Sequence, residues 1–309
     1  MNKWILKVVI QKSISFFPFK NKINYLFQKY ITKGVILTDD LFEDKLIHAS
    51  NHISYFLKTS PYSSGFISLE LGTGWYPIVP ISMYLAGAKS IYSIDIENLT
   101  SVKMQRDSIL KFMEWHKNDR IKKYLPNIDN ERMHILSELA TIDDESSFSE
   151  KWKSLGFNFM VKDARHLPFG DAYIDLIHSN NTLEHVYPNV LNDLFKEFYR
   201  ILKHDGLMSH FIDMSDHFAH LDRSISIYNF LQFTESQWKL IDNSVQPQNR
   251  WRINDYRRLY TENKFNILEE LNRKGEIDEV QKLQIKPPFS LYSVSDIAIS
   301  HTHIYAKKE

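Results

Sequence analysis

Apolar positions along this chain follow two different periods. From residue 63 onward, short apolar runs of strand length alternate with stretches whose apolar residues recur every three to four positions. The first pattern marks buried strands and the second amphipathic helices. Phe66 to Leu71 reads as a strand, Gly72-Thr73-Gly74 as a turn, and Pro77 as the first turn of a helix that Gly87 stops. Ser90 to Ile96 reads as a second strand, and Ser101 to about Leu125 as a charged helix. Asp143-Asp144-Glu145-Ser146-Ser147 reads as surface loop. Phe157 to Val161, Tyr173 to His178 and Leu207 to Ile212 are further strands. Between the last two, Val190, Leu191, Leu194, Phe195, Phe198, Ile201 and Leu202 share one helix face, with Gly206 as its stop. Asn254 to Asn263 predicts a short helix, and Ser295 to Ala306 alternates like a closing strand. Strands alternating with helices predict an α/β fold with a mainly parallel, doubly wound sheet.

Residues 1–62 lack that alternation and read as a helical cap, broken from the rest by Pro61 and Ser63-Ser64-Gly65. Two insertions are expected in the domain spanning 63–309, near 104–156 and 214–250. Charge changes the picture only at the N-terminus. The chain carries 38 basic and 38 acidic side chains, so no overall field draws it to nucleic acid. Residues 1–38 hold Lys3, Lys7, Lys12, Lys20, Lys22, Lys29 and Lys33 and no acid, interleaved with Trp4, Ile5, Phe16, Phe17 and Phe19. This segment is too short in apolar runs to span a bilayer, and Lys7 splits the only candidate signal core. A packed helical cap is the reading adopted, with peripheral membrane contact through residues 1–38 as the alternative. Cysteine is absent, which removes disulfides and thiolate chemistry and agrees with a cytoplasmic setting.

The candidate chemistry begins at Glu70-Leu71-Gly72-Thr73-Gly74. A glycine loop between strand and helix brings backbone N–H groups to a ligand, and Asp95, about twenty residues on, stands where a ribose-binding carboxylate is expected. The third glycine of the dinucleotide fingerprint is missing, with Pro77 in its place. The E-x-G-x-G loop, Asp95-Ile96, Lys162-Asp163-Ala164 with Leu167-Pro168-Phe169, Asp175 to His185, and Arg200-Ile201-Leu202-Lys203 with Asp205-Gly206 follow in order. This series resembles the motifs of class I S-adenosylmethionine-dependent methyltransferases, of the kind with a type 11-like domain. The resemblance implies a Rossmann-like, seven-stranded sheet with an antiparallel C-terminal strand, and S-adenosyl-L-methionine as cofactor. It implies that Glu70, Gly72, Thr73 and Gly74 cradle the methionine end and that Asp95 takes the ribose diol. Ile96 would line the adenine, Asp163 and Ala164 would meet its amino edge, and Asn181 would lie near the sulfonium.

Methyl transfer to a hydroxyl benefits from a general base, and histidine is the usual one near neutral pH. His185 and His217 are the candidates, each just beyond a strand at the edge where open α/β sheets place their sites. Asp213, Asp216, His217, His220 and Asp222 could also gather around a divalent cation, but their spacing matches no calcium loop and no metal is assigned. Arg250 and Arg252 could hold an anionic or polyhydroxylated acceptor, and Phe218, Tyr228, Phe230, Phe233 and Trp238 could face a sugar or form a lid core. The expected activity is transfer to a small-molecule or glycan acceptor. A catalytically silent cofactor-binding protein and a nucleotide-sugar oxidoreductase are the alternatives. The sequence sets no oligomeric state.

Overall fold

The computed structural model describes residues 3–15, 36–60 and 64–309. The expected helical character of residues 16–35 and the break at Pro61 and Ser63 lie outside the described residues. Among those described, seven strands form one sheet: β1 (Ile67–Leu71), β2 (Ser90–Asp95), β3 (Phe157–Val161), β4 (Ile174–Asn180), β5 (Leu202–Asp213), β6 (Phe265–Lys274) and β7 (Ile299–Lys308). Their order is β3-β2-β1-β4-β5-β7-β6. β1 runs parallel to β2, with Leu71 opposite Ile94, and parallel to β4, with Glu70 opposite His178; β2 pairs parallel with β3. The C-terminal strand enters antiparallel. The order reverses direction at β1 and β4, and ligands of open α/β sheets bind beyond the strand ends at such a point. The expected fold class is the one observed.

The chain divides into two compact units. The first comprises Leu37–Asn180, Lys196–His210 and Tyr305–Glu309. Its core is built from helix faces that the apolar spacing foretells. Phe42, Leu46, Ala49, Ile53 and Phe56 line the buried side of the helix Asp39–Thr59. Thr38 caps that helix by accepting from the Leu41 N–H. Every residue of the helix Ile78–Leu85 is buried. The loop expected at 143–147 is instead a helix start. Asp144 accepts from the Ser147 N–H at 2.7 Å, and the helix Glu145–Ser154 turns Phe148 and Trp152, four apart, into the core. The helix Asn130–Ala140 beside it also lay hidden in what reads as an insertion.

Gly206 does not stop a helix. The helix Pro188–Ile201 passes directly into β5, and Gly206 lies within the strand. A Cβ there would stand 2.6 Å from Leu202 Cδ1 and 3.0 Å from the Asp175 carbonyl oxygen, so close approach explains this glycine.

The second unit includes Asn181–Phe195, Phe211–Ile304 and the helix Lys3–Ser15. Phe218, Tyr228, Phe230, Leu231, Trp238 and Phe289 form its apolar centre, with Trp4 and Val8 packed against it. These aromatics are therefore a core and not an open platform. Arg250 and Arg252 are buried too, which corrects their expected role at an acceptor. Arg250 donates to the carbonyl oxygens of Phe230 and Phe233, and Arg252 to those of Met214, Ile297 and Ile299. A guanidinium that satisfies buried carbonyls is a structural cross-link. The closing strand begins later than expected, after a short helix Val294–Ala298, and β6 is an edge strand that the sequence pattern did not reveal. Among the described residues no helix is long and apolar enough to cross a membrane.

Candidate functional site

In the first unit the chain leaves β1 through Leu71 and turns with Gly72 at φ +80° and Gly74 at φ +69°. Both values lie in the left-handed region that glycine adopts without strain. The Gly72 N–H is held by the Ile94 carbonyl oxygen at 2.8 Å, and the Gly74 N–H reaches the Asp95 carboxylate. A Cβ on Gly74 would meet nothing within 4 Å, so the loop presents bare backbone to open space. Beneath it, Glu70 is buried, and its Oε2 has no hydrogen-bond partner among the described residues. Burial pushes the Glu70 carboxyl up to about 8, against smaller lowering effects of the Thr73 side chain and the Lys45 charge. Thr73 also borders a small recess with Pro77, Ser93, Thr100 and Gln105.

Asp95 ends β2 half-buried. Burial raises its carboxyl, opposed by backbone N–H groups of Glu97, Gly74 and Ile96. Ile96 follows with 78% of its surface exposed, an apolar side chain open to solvent. Asp163, at the end of β3, is gripped by Arg165, which contacts both carboxylate oxygens at 2.5 to 3.0 Å. That hydrogen bonding lowers its pKa to about 2. Ala164 beside it is buried.

In the second unit Asn181 follows β4 at φ +49°, a conformation that asparagine tolerates better than most residues. Its N–H donates to the Phe211 carbonyl oxygen, while its buried Oδ1 has no hydrogen-bond partner among the described residues. The short turn Leu183–His185 comes next. Asn249 clamps it: its Nδ2 donates to the carbonyl oxygens of Leu183 and Val186, and its N–H to that of Glu184. His185 Nδ1 donates to the Pro247 carbonyl oxygen at 2.7 Å. Burial, then the neighbouring His217 charge, pushes the His185 pKa down to about 4. The ring is therefore neutral at pH 7, with its lone pair on Nε2.

The ring of His217 lies 4.9 Å from that of His185, inclined to it by 63°. His217 Nε2 is 3.3 Å from Asp213 Oδ2, and His301 Nε2 is 3.4 Å from Asp213 Oδ1. Burial alone would raise the Asp213 carboxyl; hydrogen bonding and charge from His217, with His301 and Ser215, outweigh it and hold it well below the ordinary range. His217 also borders a small recess with Lys7, Gln11, Phe218, Trp238 and Gln248. Asp216 and Asp222 take no part in this cluster. Asp216 accepts from the Phe218 N–H and Asp222 from Ser224 and the Trp4 N–H. These are loop-fixing bonds. Two contributors escaped the sequence reading. His301 stands on a strand far along the chain, and Gln248, which donates to the Ser215 carbonyl oxygen, sits in an irregular segment without periodicity.

Residues 131–209 match a family described as a methyltransferase domain. No curated protein sequence matches the chain. Among solved structures, a geranyl diphosphate C-methyltransferase from Streptomyces coelicolor is 12% identical, with 84% of this chain and 78% of that one covered and a TM-score of 0.44. A geranyl diphosphate methyltransferase solved with S-adenosylmethionine is 12% identical over 84% of this chain and 85% of that one, at a TM-score of 0.45. The [4+2]-cyclase SpnF is 12% identical over 84% and 80%, also at 0.45. Likeness at this level does not bear on what this chain binds.

Proposed function

We propose that this chain, whose residues 131–209 match a methyltransferase domain, moves a methyl group from S-adenosylmethionine to a hydroxyl of a small-molecule or glycan acceptor. The observation that carries the donor half is Glu70: a buried carboxyl with an unpartnered oxygen under a loop of bare backbone. A cationic amino group is what such a carboxyl lacks. Asp95 would bind the ribose hydroxyls and Ile96 would offer its exposed face to the adenine. Asp163 would take the adenine amino group, after sharing or releasing Arg165, and Ala164 would line the same edge. Asn181 Oδ1 would face the methyl-bearing end.

When bound, S-adenosylmethionine would supply an electrophilic methyl carbon: the acceptor oxygen bonds to it in line as the carbon–sulfur bond breaks and S-adenosylhomocysteine leaves. The chain's task is alignment and removal of the hydroxyl proton. His217, beside Asp213, would take that proton, with the neutral His185 as its neighbour.

Calorimetry with S-adenosylhomocysteine and with NAD tests the donor half: the first is expected to bind and the second not, and NAD binding alone would overturn the reading. A panel of glycans and hydroxylated metabolites, read by S-adenosylhomocysteine release, tests the acceptor half. On the acceptor that turns over, His217→Asn and Asp213→Asn should lower kcat by about 10²- to 10⁴-fold while leaving cofactor affinity unchanged.

A further inference from the structure

Glu184, His185 and His217 converge in the second unit: one ligand-capable atom from each lies within 4.8 Å of the other two. We propose that these three side chains bind a divalent transition-metal ion of the zinc class, with the acceptor oxygen as its fourth ligand. The location of the acceptor rests on the reading above; the ion site itself does not.

Two imidazole nitrogens and one carboxylate oxygen form a donor set that suits zinc, cobalt or nickel, and not magnesium or calcium, which prefer all-oxygen shells. On a tetrahedral ion with bonds of ~2.1 Å the donors stand ~3.4 Å apart, so the present spacing needs only small side-chain rotations. A second observation points the same way. Histidines that ligate metals give their other ring nitrogen to an outer acceptor, which fixes the ring and raises its basicity. His185 has one here, and His217 has a carboxylate within reach of one. His185 Nδ1 is tied to the Pro247 carbonyl oxygen at 2.7 Å, leaving Nε2 for an ion. His217 Nε2 lies 3.3 Å from Asp213 Oδ2, which a small ring rotation would turn into the orienting bond as Nδ1 takes the ion. The turn that carries Glu184 and His185 is itself held by three hydrogen bonds from Asn249. A fixed backbone, two imidazoles and a buried carboxylate are what a three-ligand site with an open position requires. With an ion in place, the two histidines act as ligands, and the ion lowers the pKa of the bound hydroxyl.

The test uses the full-length chain made without an affinity tag, stripped with chelator and titrated with Zn²⁺ by equilibrium dialysis. One equivalent is expected to bind. His185→Ala and His217→Ala should weaken binding at least ~100-fold, and Asp213→Asn, which removes only an orienting contact, by ~10- to 100-fold. His134→Ala, an exposed histidine on the helix Asn130–Ala140, should change nothing. Because buried substitutions can unfold a protein, the unmodified chain is also read directly. Its Co²⁺ form should show the intense visible absorption of a four- or five-coordinate site, and X-ray absorption of the Zn²⁺ form should show two imidazoles. Absence of a bound equivalent, binding that survives His185→Ala, or an all-oxygen octahedral spectrum overturns the proposal. Calorimetry with S-adenosylhomocysteine on the same stripped protein separates the two readings. Cofactor binding without Zn²⁺ binding removes the ion site and leaves methyl transfer standing. Zn²⁺ binding without cofactor binding removes methyl transfer, and with it the acceptor as fourth ligand.

Discussion

Glu70 is a carboxyl held in its protonated form by burial, with a pKa near 8 beneath the glycine loop. An unfolded chain ionises the same group near 4.5. Between those values the folded state keeps a proton that the unfolded state has lost, so stability contributed at low pH is surrendered as pH rises through this window. Glu70→Gln removes the effect. The variant should melt at a higher temperature than the parent at pH 8, with the difference vanishing near pH 4, while losing affinity for S-adenosylmethionine. A residue that destabilises the empty fold in this way is best explained by a ligand that compensates it. If the ligand's amino group is that compensation, binding at pH 7 must expel the Glu70 proton. Calorimetry of S-adenosylhomocysteine in buffers of different ionisation enthalpy should then report net proton release at pH 7 and little at pH 9. No release at pH 7 would mean that Glu70 does not meet the amino group.

At the scale of elements, the sequence was most legible where one residue type had one physical use. The strand–loop–helix around Gly72 and Gly74 could be read because turns at φ +80° and +69° call for glycine, and because Phe66, Ile67, Leu69 and Leu71 make β1 read as a buried strand. Helices Asn130–Ala140 and Glu145–Ser154 were hidden because each buries only two or three side chains among many charges. Gly206 was misread because a glycine after a helix has two explanations, a left-handed stop or a close approach, and only the packing decides. Gly206→Ala should therefore destabilise the fold by about 1–3 kcal/mol through overpacking against Leu202 and the Asp175 carbonyl, measured from urea unfolding midpoints. The arginines misled for a related reason: the same fork that binds an acceptor's oxygens also gathers main-chain carbonyls, as Arg252 does with three of them. The donor residues were legible as an ordered series, whereas the Asp213 cluster joins the local pair 213 and 217 to position 301, which no local pattern links to them. The helix Lys3–Ser15 belongs with these elements. Trp4 packs on Phe218 and Phe233, and its N–H donates to Asp222, while Ile5, Leu6 and Val9 remain exposed. A helix already docked has less to gain from a bilayer, so the intact protein should stay in the supernatant with anionic vesicles. Pelleting that depends on residues 3–15 would assign the exposed face to a membrane.

For the whole molecule, zero net charge leaves little global electrostatic strain, and pH sensitivity falls to particular buried groups. Among them are histidines in the first unit. His178 on β4 and His210 on β5 are fully buried, and burial pushes each pKa down to about 3, with the His210 charge adding to the effect at His178. The surrounding polar atoms pair neutral rings: His210 Nδ1 meets Ser179 Oγ at 2.7 Å, and His52 meets Ser209 Oγ at 2.6 Å and Asn180 Oδ1 at 2.9 Å. In the unfolded chain these histidines take up protons near 6.5. Below that pH unfolding therefore consumes protons, and stability declines as pH falls from about 6.5 toward 3, by up to ~1.4 kcal/mol per pH unit for each such histidine. This loss begins well above the range in which carboxylates ordinarily titrate. Glu70 acts in the opposite sense over this range, so the histidine loss is read in the Glu70→Gln background, where urea unfolding at pH 7, 6 and 5 should show a steady fall in stability. His178→Leu, whose ring nitrogens have no hydrogen-bond partner among the described residues, should flatten the slope by up to ~1.4 kcal/mol per unit without abolishing folding. Equal stability of the Glu70→Gln protein at pH 7 and pH 5 would mean that these rings accept protons inside the fold, and that burial around β4 and β5 is looser than described.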